Sequence, residues 1–138
     1  MAFLFDTNAI SELFRREPNT DFVAWVGRLP REEQFTSVVV VAELLAGAEA
    51  SPAPAKWCKR IHEAVLPRIT VLPMDLEVAA EFGRVKARLT RQGTPIGDTD
   101  SFIAATAVRY DLTMVTANLN NMSQVSGLRL HPFEPGAR

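Results

Sequence analysis

The chain has 138 residues, of which 47% are hydrophobic and 22% are charged, and its formal net charge is −1 at pH 7. These values are typical of one globular domain with an apolar core, and they exclude a disordered chain and a protein that coats nucleic acid by charge alone. Cys58 is the only cysteine, so no internal disulfide can form, and its neighbours predict a buried helical position. We see no secretory leader and no apolar stretch long enough to cross a bilayer, so we expect a cytoplasmic protein without a membrane partner.

Short apolar strands alternate with amphipathic helices along the chain. We predict strands at residues 2–5, 34–37, 69–72, 113–116 and 128–130, and helices capped by Asn8 and at residues 22–29, 38–50, 56–66, 75–91 and 98–109. This alternation is typical of a mainly parallel sheet covered by helices on both faces. We therefore expect a single domain over residues 1–133, followed by a flexible tail over residues 134–138.

Two acidic residues in the first half of the chain point to a functional site. Asp6 directly follows the first predicted strand, and open α/β sheets bind ligands beyond the carboxyl ends of their strands; the alternative is a turn or cap aspartate. Glu43 lies in an apolar helical segment, where an ionised carboxylate needs a cation or an ion pair. No Lys or Arg occurs between Arg31 and Lys56, so a metal ion is the favoured partner. A narrow solvent-facing stripe and a long-range salt bridge are the alternatives.

A third acid lies in the first turn of the helix predicted for Asp98–Arg109, where two aspartates compete for one role. Asp98 is placed to cap the helix, where a carboxylate meets free amide groups. Asp100 shares its helical face with Ile103, Ala104, Ala107 and Val108, the inward apolar face, where a surface role is hard to justify. We therefore assign the chemistry to Asp100 and the capping to Asp98.

The remaining polar residues narrow the chemistry. Thr116 and Asn118 come at the end of the strand Thr113–Thr116, where they can hydrogen-bond the site or its water, although residues 118–121 also read as a plain turn. Carboxylates held near one another repel unless a cation neutralises them. Mg²⁺ and Mn²⁺ suit oxygen-only ligands, whereas zinc prefers His or Cys. His62 and His131 lack metal-ligand spacing, so we expect each to be structural or solvent-facing.

Several motifs occur in a fixed order over nearly the whole chain. They are Phe5-Asp6-Thr7-Asn8, Ala42-Glu43-Leu44-Leu45-Ala46-Gly47, Arg91-Gln92-Gly93-Thr94-Pro95-Ile96-Gly97, Asp100-Ser101-Phe102-Ile103-Ala104-Ala105-Thr106-Ala107 and Leu112-Thr113-Met114-Val115-Thr116-Ala117-Asn118. Together they resemble the PIN-domain nucleases, and within these the VapC-type toxins of bacterial toxin–antitoxin pairs.

The resemblance implies a Mg²⁺- or Mn²⁺-dependent endoribonuclease, the toxin of a type II toxin–antitoxin system, on a three-layer α/β/α PIN-like domain with a mainly parallel five-stranded sheet. It implies an RNA substrate, a homodimer and a cognate VapB-like antitoxin that covers or invades the active-site groove. Asp6, Glu43 and Asp100 match the family's three acidic positions. The fourth position, often Asp in the wider family, is Asn118, which leaves three carboxylates and favours a single metal. The expected supporting residues are Thr7, Asn8, Asp98 and Thr116.

Five arginines are candidate RNA contacts, since phosphate contacts position a nucleic acid without reading its sequence. They are Arg15 and Arg16 after the first helix, and Arg84, Arg88 and Arg91 at i, i+4 and i+7 of the long helix. The alternative for these residues is an ordinary solvated surface. Two other functions also stay open from the sequence: a non-catalytic PIN-like partner-binding module, and a metal-dependent nuclease that acts on DNA.

Overall fold

A computed structural model of the chain describes residues 1–137. Within these residues, five strands form one all-parallel sheet, and seven helices flank it. The strands are β1 (Phe3–Phe5), β2 (Gln34–Ser37), β3 (Thr70–Leu72), β4 (Thr113–Thr116) and β5 (Leu130–Pro132), in the spatial order β3-β2-β1-β4-β5. The helices are α1 (Thr7–Glu12), α2 (Thr20–Arg28), α3 (Val38–Ala50), α4 (Pro54–Arg60), α5 (Leu76–Gln92), α6 (Asp98–Arg109) and α7 (Leu119–Met122). The predicted α/β/α architecture is thus confirmed.

The centre of the sheet explains why its strands read as apolar runs. Every residue of β1 and of β4 is buried, because strands in the middle of a parallel sheet are covered by helices on both faces. Phe5 of β1 pairs with Val115 of β4, so the residues that follow these two strands emerge side by side. No helix among residues 1–137 is long and apolar enough to cross a membrane.

Several predicted boundaries need correction. The last strand is Leu130–Pro132, two residues later than predicted, and the loop after β4 contains the short helix α7. The helix predicted over residues 56–66 ends at Arg60 and continues as a π turn, Ile61–Val65, and a 3-10 turn, Leu66–Arg68. Cys58 is half-buried rather than buried, and its thiol lies 3.1 Å from Glu49 Oε1.

The long helix α5 is held at both ends by local capping. Asp75 caps its first turn by accepting a hydrogen bond of 2.8 Å from the Val78 N–H, and it also accepts one of 2.7 Å from the Tyr110 hydroxyl. Gly93 ends the helix in the left-handed region at φ 74°, a conformation that favours glycine. Tyr110 follows α6, so the Asp75 carboxylate also ties α5 to α6, the helix that carries Asp100.

The segment after β5 folds back on α1 and the loop that follows it, although we expected a flexible tail there. The Glu12 carboxylate, whose side chain is 2% exposed, accepts hydrogen bonds of 2.7 Å from the backbone N–H groups of Asn19 and Gly136. Phe133 stacks on Phe22 with ring centroids 4.4 Å apart. Residues 133–137 therefore lie against the domain, and Arg138 is outside the described residues.

Candidate active site

Asp6 lies at the carboxyl end of β1, the central strand, as predicted. Its backbone N–H donates to the Val115 carbonyl (3.2 Å), which extends the β1–β4 ladder by one residue. Its side chain is buried, and it caps α1 by accepting a hydrogen bond of 2.8 Å from the Ala9 N–H. The prediction that Asn8 caps this helix is therefore wrong, and Asn8 is exposed. The cap leaves Asp6 with only part of its acceptor capacity used.

Glu43 reaches the same edge of the sheet from α3, which begins directly after β2 without a connecting loop. Its Oε1 accepts a hydrogen bond from the Thr7 hydroxyl, in the first turn of α1. Glu43 itself is exposed, so our reasoning from a buried apolar environment is wrong for this residue. The helix is apolar in sequence, yet only Val40, Val41 and Ala48 are buried. Thr7, rather than burial, positions the carboxylate.

Asp100 lies in the first turn of α6 and is half-buried. Two side-chain amides converge on its Oδ2: Asn118 Nδ2 at 3.3 Å and Asn121 Nδ2 at 3.5 Å. The backbone N–H of Asn118 donates to the Thr116 hydroxyl oxygen (2.9 Å) at the end of β4. Sequence reasoning missed Asn121. Its spacing of three residues from Asn118 would have placed both on one helical face, had we predicted α7.

Asp98 has a different role from the one that we predicted. Gly97 is the residue at the cap position of α6, and no side chain caps the helix. Asp98 is the first helical residue, is 65% exposed, and forms an ion pair with Lys86 of α5. The structure thus places Asp100 in a half-buried position and Asp98 at the surface, where Asp98 links two helices instead of capping one.

The three carboxylates are close enough to influence one another electrostatically. The pKa of Asp6 is raised above its ordinary value of 3.8, chiefly because burial disfavours the charged form. Hydrogen bonds from Thr116 and from the Ala9 N–H oppose this effect, while the negative charges of Asp100 and Glu43 raise the pKa further. The edge of the sheet therefore holds negative charge that its own hydrogen bonds do not fully balance.

No cationic side chain compensates that charge within residues 1–137, since none of the ion pairs there includes Asp6, Glu43 or Asp100. In the same part of the chain, no three His, Cys, Asp or Glu side chains enclose a point that could hold a metal ion. His62 bonds to the Cys58 carbonyl (2.9 Å), and His131 stacks on Trp25 at 4.1 Å. The potential metal ligands at this edge of the sheet are therefore all oxygen atoms.

Two of the five candidate RNA contacts form ion pairs with other residues of the chain. Arg15 pairs with the buried Glu12 and donates to the Ala137 carbonyl (3.0 Å), and Arg84 pairs with Glu81 on its own helix. Arg16, Arg88 and Arg91 are exposed. Of these five candidates, only Arg16, Arg88 and Arg91 form no ion pair with the residues that the structure describes.

Comparison with known families agrees with this geometry. The PIN domain family matches residues 3–128, a range that includes the strand-end aspartate, Glu43, Asp100 and both asparagines. This chain belongs to the PIN domain family. The family assignment predicted from the sequence motifs is thus confirmed.

Named relatives of this PIN domain match over most of their length. It is 33% identical over 137 residues to a VapC ribonuclease, Y4jK, from Sinorhizobium fredii, and this alignment covers 96% of the chain and 98% of the relative. It is 36% identical over 118 residues to toxin FitB from Neisseria gonorrhoeae, covering 82% of the chain and 85% of the relative. A solved structure of DNA-bound VapBC from Salmonella typhimurium superposes with a TM-score of 0.86 at 30% identity, covering 96% and 98% of the two chains.

Proposed function

We propose that this PIN domain is a VapC-type endoribonuclease, the toxin of a type II toxin–antitoxin pair, and that it hydrolyses RNA phosphodiester bonds with a bound Mg²⁺ or Mn²⁺ ion. The observation that carries the proposal is the group formed by Asp6, Thr7–Glu43 and Asp100 at the carboxyl edge of the sheet. The ribonuclease activity stated in the name of its relative Y4jK agrees with this site. We expect it to act in the cytoplasm, where RNA is the available substrate.

The donor set fits a hard divalent cation. Mg²⁺ accepts only oxygen ligands, keeps several waters and is bound directly by one or two carboxylates. Asp6 and Asp100 can supply those two, with Glu43 acting through a water, so three converging ligands are not required. The raised pKa of Asp6 and the charges beside it describe a site with excess negative charge, which a divalent cation would neutralise.

Each residue of the site then has a definite task. A bound Mg²⁺ or Mn²⁺ supplies a water of lowered pKa and positive charge for the developing phosphorane oxygens. Glu43 accepts the proton of the attacking water, and the Thr7 hydroxyl holds the Glu43 carboxylate in orientation. Asn118 and Asn121 hold Asp100 Oδ2, so Oδ1 would be available to bind a cation. Water attacks phosphorus in line with the departing ribose oxygen, the P–O bond to that oxygen breaks, and a solvent water protonates the oxygen as it leaves.

Two isosteric substitutions two residues apart provide the test. We expect Asp100→Asn to lower the rate of cleavage of a single-stranded RNA by about 100-fold or more, and EDTA to abolish cleavage by the wild type. Asp98→Asn should keep most of the activity, because Asp98 is exposed and paired with Lys86. Full activity of the Asp100 variant, or cleavage in EDTA, would refute the proposal. Cleavage of single-stranded DNA at the same rate would indicate a general nuclease.

The antitoxin half of the proposal has a docking surface. A cavity of about 470 Å³ lies between α1, α2 and residues 61–69, lined mainly by apolar side chains that include Leu13, Phe14, Val23 and Val26. Val23 is 39% exposed although it is apolar. We propose that an apolar segment of the antitoxin fills this groove, in agreement with a solved relative that is a VapBC assembly.

Co-expression tests this docking surface. The protein encoded beside this gene should co-purify with the wild type and should lose the complex when Val26 is changed to Asp. RNA cleavage by the isolated Val26→Asp variant should stay at the wild-type level, because the groove is separate from the carboxylates. A complex that survives this change would place the antitoxin elsewhere.

A further inference from the structure

The short helix α4 presents a basic surface that the sequence motifs did not include. Its seven residues contain Lys56, Lys59 and Arg60 and no acid, and none of them is buried. All three cations are exposed, and Trp57 between them is half-buried. We call this surface, together with Phe14 beside it, the α4 basic patch. The whole chain has a net charge of −1, so this concentration of positive charge is local.

Aromatic rings contact two of the three cations of the α4 basic patch, Lys56 and Arg60. Lys56 Nζ lies 5.1 Å from the Trp57 ring centroid, and Arg60 Cζ lies 5.2 Å from Trp57 and 5.0 Å from Phe14. Such cation–π contacts are weak at exposed sites, yet they favour one orientation of the cation over the ring. They orient a guanidinium without neutralising its charge, so the N–H groups of Arg60 remain available to an anion with bidentate geometry, such as a phosphate.

The cations of the patch form no ion pair with any residue that the structure describes. Among residues 1–137, the ion pairs take up Arg15, Arg84, Lys86, Arg109 and Arg129. In that same range, no carboxylate lies within ion-pair distance of Lys56, Lys59 or Arg60. Lys56 and Arg60 therefore contact aromatic rings and keep their full charge available for a negatively charged ligand.

The patch lies at a short distance from the carboxylates. Helix α4 packs on α3, and Cys58 of α4 contacts Glu49 of α3 at 3.1 Å. Glu49 is six residues along α3 from Glu43, which corresponds to a rise of about 9 Å. Phe14 lies just beyond α1, the helix that Asp6 caps, so a second element also leads from the site to the patch.

We propose that the α4 basic patch binds the sugar–phosphate backbone of the single-stranded RNA substrate, a few nucleotides from the scissile bond. Lys56, Lys59 and Arg60 contact successive phosphates, and Trp57 and Phe14 hold the cations towards the strand. These contacts bind every sequence equally, since they do not reach base edges. This inference rests on the proposed ribonuclease function, and it assigns the substrate to a surface other than the α5 arginines that the sequence suggested.

Binding of a labelled RNA measures the proposal directly. The Asp100→Asn variant is used so that the RNA is not cleaved during the measurement. The anisotropy of a fluorescein-labelled 12-nucleotide RNA gives the dissociation constant at several salt concentrations. Adding Lys56→Gln and Lys59→Gln should weaken binding by about 10-fold or more, and should reduce the slope of log K against log salt by about 1.4, because two phosphate contacts are lost and each contributes about 0.7 on a single strand. Adding Arg28→Gln and Arg68→Gln removes two exposed cations elsewhere and should change neither quantity.

A fluorescence measurement keeps the proposal testable if a variant binds poorly for other reasons. Trp25 packs against Phe3 and His131, so it should not sense the RNA. RNA should change the tryptophan emission of the Asp100→Asn protein, and this change should disappear when Trp57 is replaced by Phe. A signal that persists without Trp57 would contradict the proposal.

The outcomes separate this inference from the function on which it rests. Unchanged affinity and salt slope in the Lys56/Lys59 variant, with normal Mg²⁺-dependent cleavage by the wild type, would overturn the patch alone. A loss of affinity only in an Arg88→Gln/Arg91→Gln variant would place the RNA on α5 and also overturn it. The same holds if the Lys56/Lys59 variant loses its antitoxin but keeps RNA affinity. Full cleavage by Asp100→Asn would instead overturn the proposed function.

Discussion

Glu12 is the buried charge on which the attachment of the C-terminal segment depends. Its Oε2 accepts from the N–H groups of Asn19 and Gly136 at 2.7 Å each, and its Oε1 accepts from Arg15 at 3.0 Å. Changing Glu12 to Ala leaves two backbone N–H groups without an acceptor, and each such loss costs about 1–3 kcal/mol. Removal of one partner from a buried pair costs about 3–5 kcal/mol. We therefore expect Glu12→Ala to lower the free energy of unfolding by about 4 kcal/mol.

A Glu12→Gln variant separates charge from shape. The amide oxygen can still accept from the two N–H groups, but it is neutral and the amide nitrogen faces Arg15, so we expect a loss of about 2 kcal/mol. Guanidinium unfolding at pH 7, followed by circular dichroism, measures both variants. Glu63→Ala, an exposed acid on the π turn, is the control and should stay within about 0.5 kcal/mol of the wild type.

The pH dependence gives an independent check of the same carboxylate. Burial raises the pKa of Glu12, but hydrogen bonds from Asn19, Gly136 and Arg15 outweigh burial and leave it below its ordinary value of 4.5. The Glu12 carboxylate therefore adds to the free energy of unfolding above about pH 4.5. This contribution is lost as the pH falls through the lower pKa of the folded state. The difference in the free energy of unfolding between the wild type and Glu12→Gln should decrease below that pH. An equal difference between these two proteins at pH 3 and pH 7 would refute this reasoning. So would a decrease of less than about 1 kcal/mol in the free energy of unfolding for Glu12→Ala.

Gly136 provides the matching change in the tail. A Cβ atom added there would lie 2.2 Å from the Glu17 carbonyl oxygen and 2.6 Å from the Asn19 nitrogen. Because these are backbone atoms, Gly136→Ala should detach the tail and destabilise the protein by an amount comparable to Glu12→Gln. Gly83→Ala on α5, where a Cβ meets no atom within 4 Å, should be neutral or stabilising by about 1 kcal/mol. Equal melting temperatures for the two variants would contradict the role assigned to the tail.

Three further predictions concern the site and the assembly. Thr7→Val removes the hydroxyl that holds Glu43, so RNA cleavage should fall by about 10-fold with an unchanged melting temperature; unaltered cleavage would show that Glu43 needs no such support. Asn121→Asp adds a carboxylate beside Asp100, and isothermal titration should then detect about two Mn²⁺ ions per chain instead of about one; an unchanged stoichiometry would contradict a charge-limited site. Leu76 is 88% exposed, so Leu76→Glu should convert the expected homodimer to a monomer in light scattering, and a persistent dimer would place the interface elsewhere.

The differences between the sequence predictions and the structure have specific physical causes. Glu43 was read as buried because α3 is apolar, but helix α3 leaves much of its apolar surface exposed, and apolar content alone does not report burial. Asp98 was read as a cap because a helix start favours Asp, whereas Lys86, twelve residues earlier in the chain, captures it in an ion pair. The tail was predicted to be flexible because chain termini are often poorly ordered, and nothing in the sequence pointed to its partner Glu12, which lies more than a hundred residues away.

The sequence by itself determined the alternation of strands and helices, the positions of Asp6 and Asp100, and the family. These features depend on local periodicity and on one rule, that parallel strands and the helices after them bring their ends to a common edge. Only the tertiary structure decided that Thr7 positions Glu43, that Asn121 joins Asn118 on Asp100, and that α4 presents ordered, unpaired cations. Such contacts join residues from different elements, and their geometry depends on how whole helices pack rather than on the residues beside them in the chain.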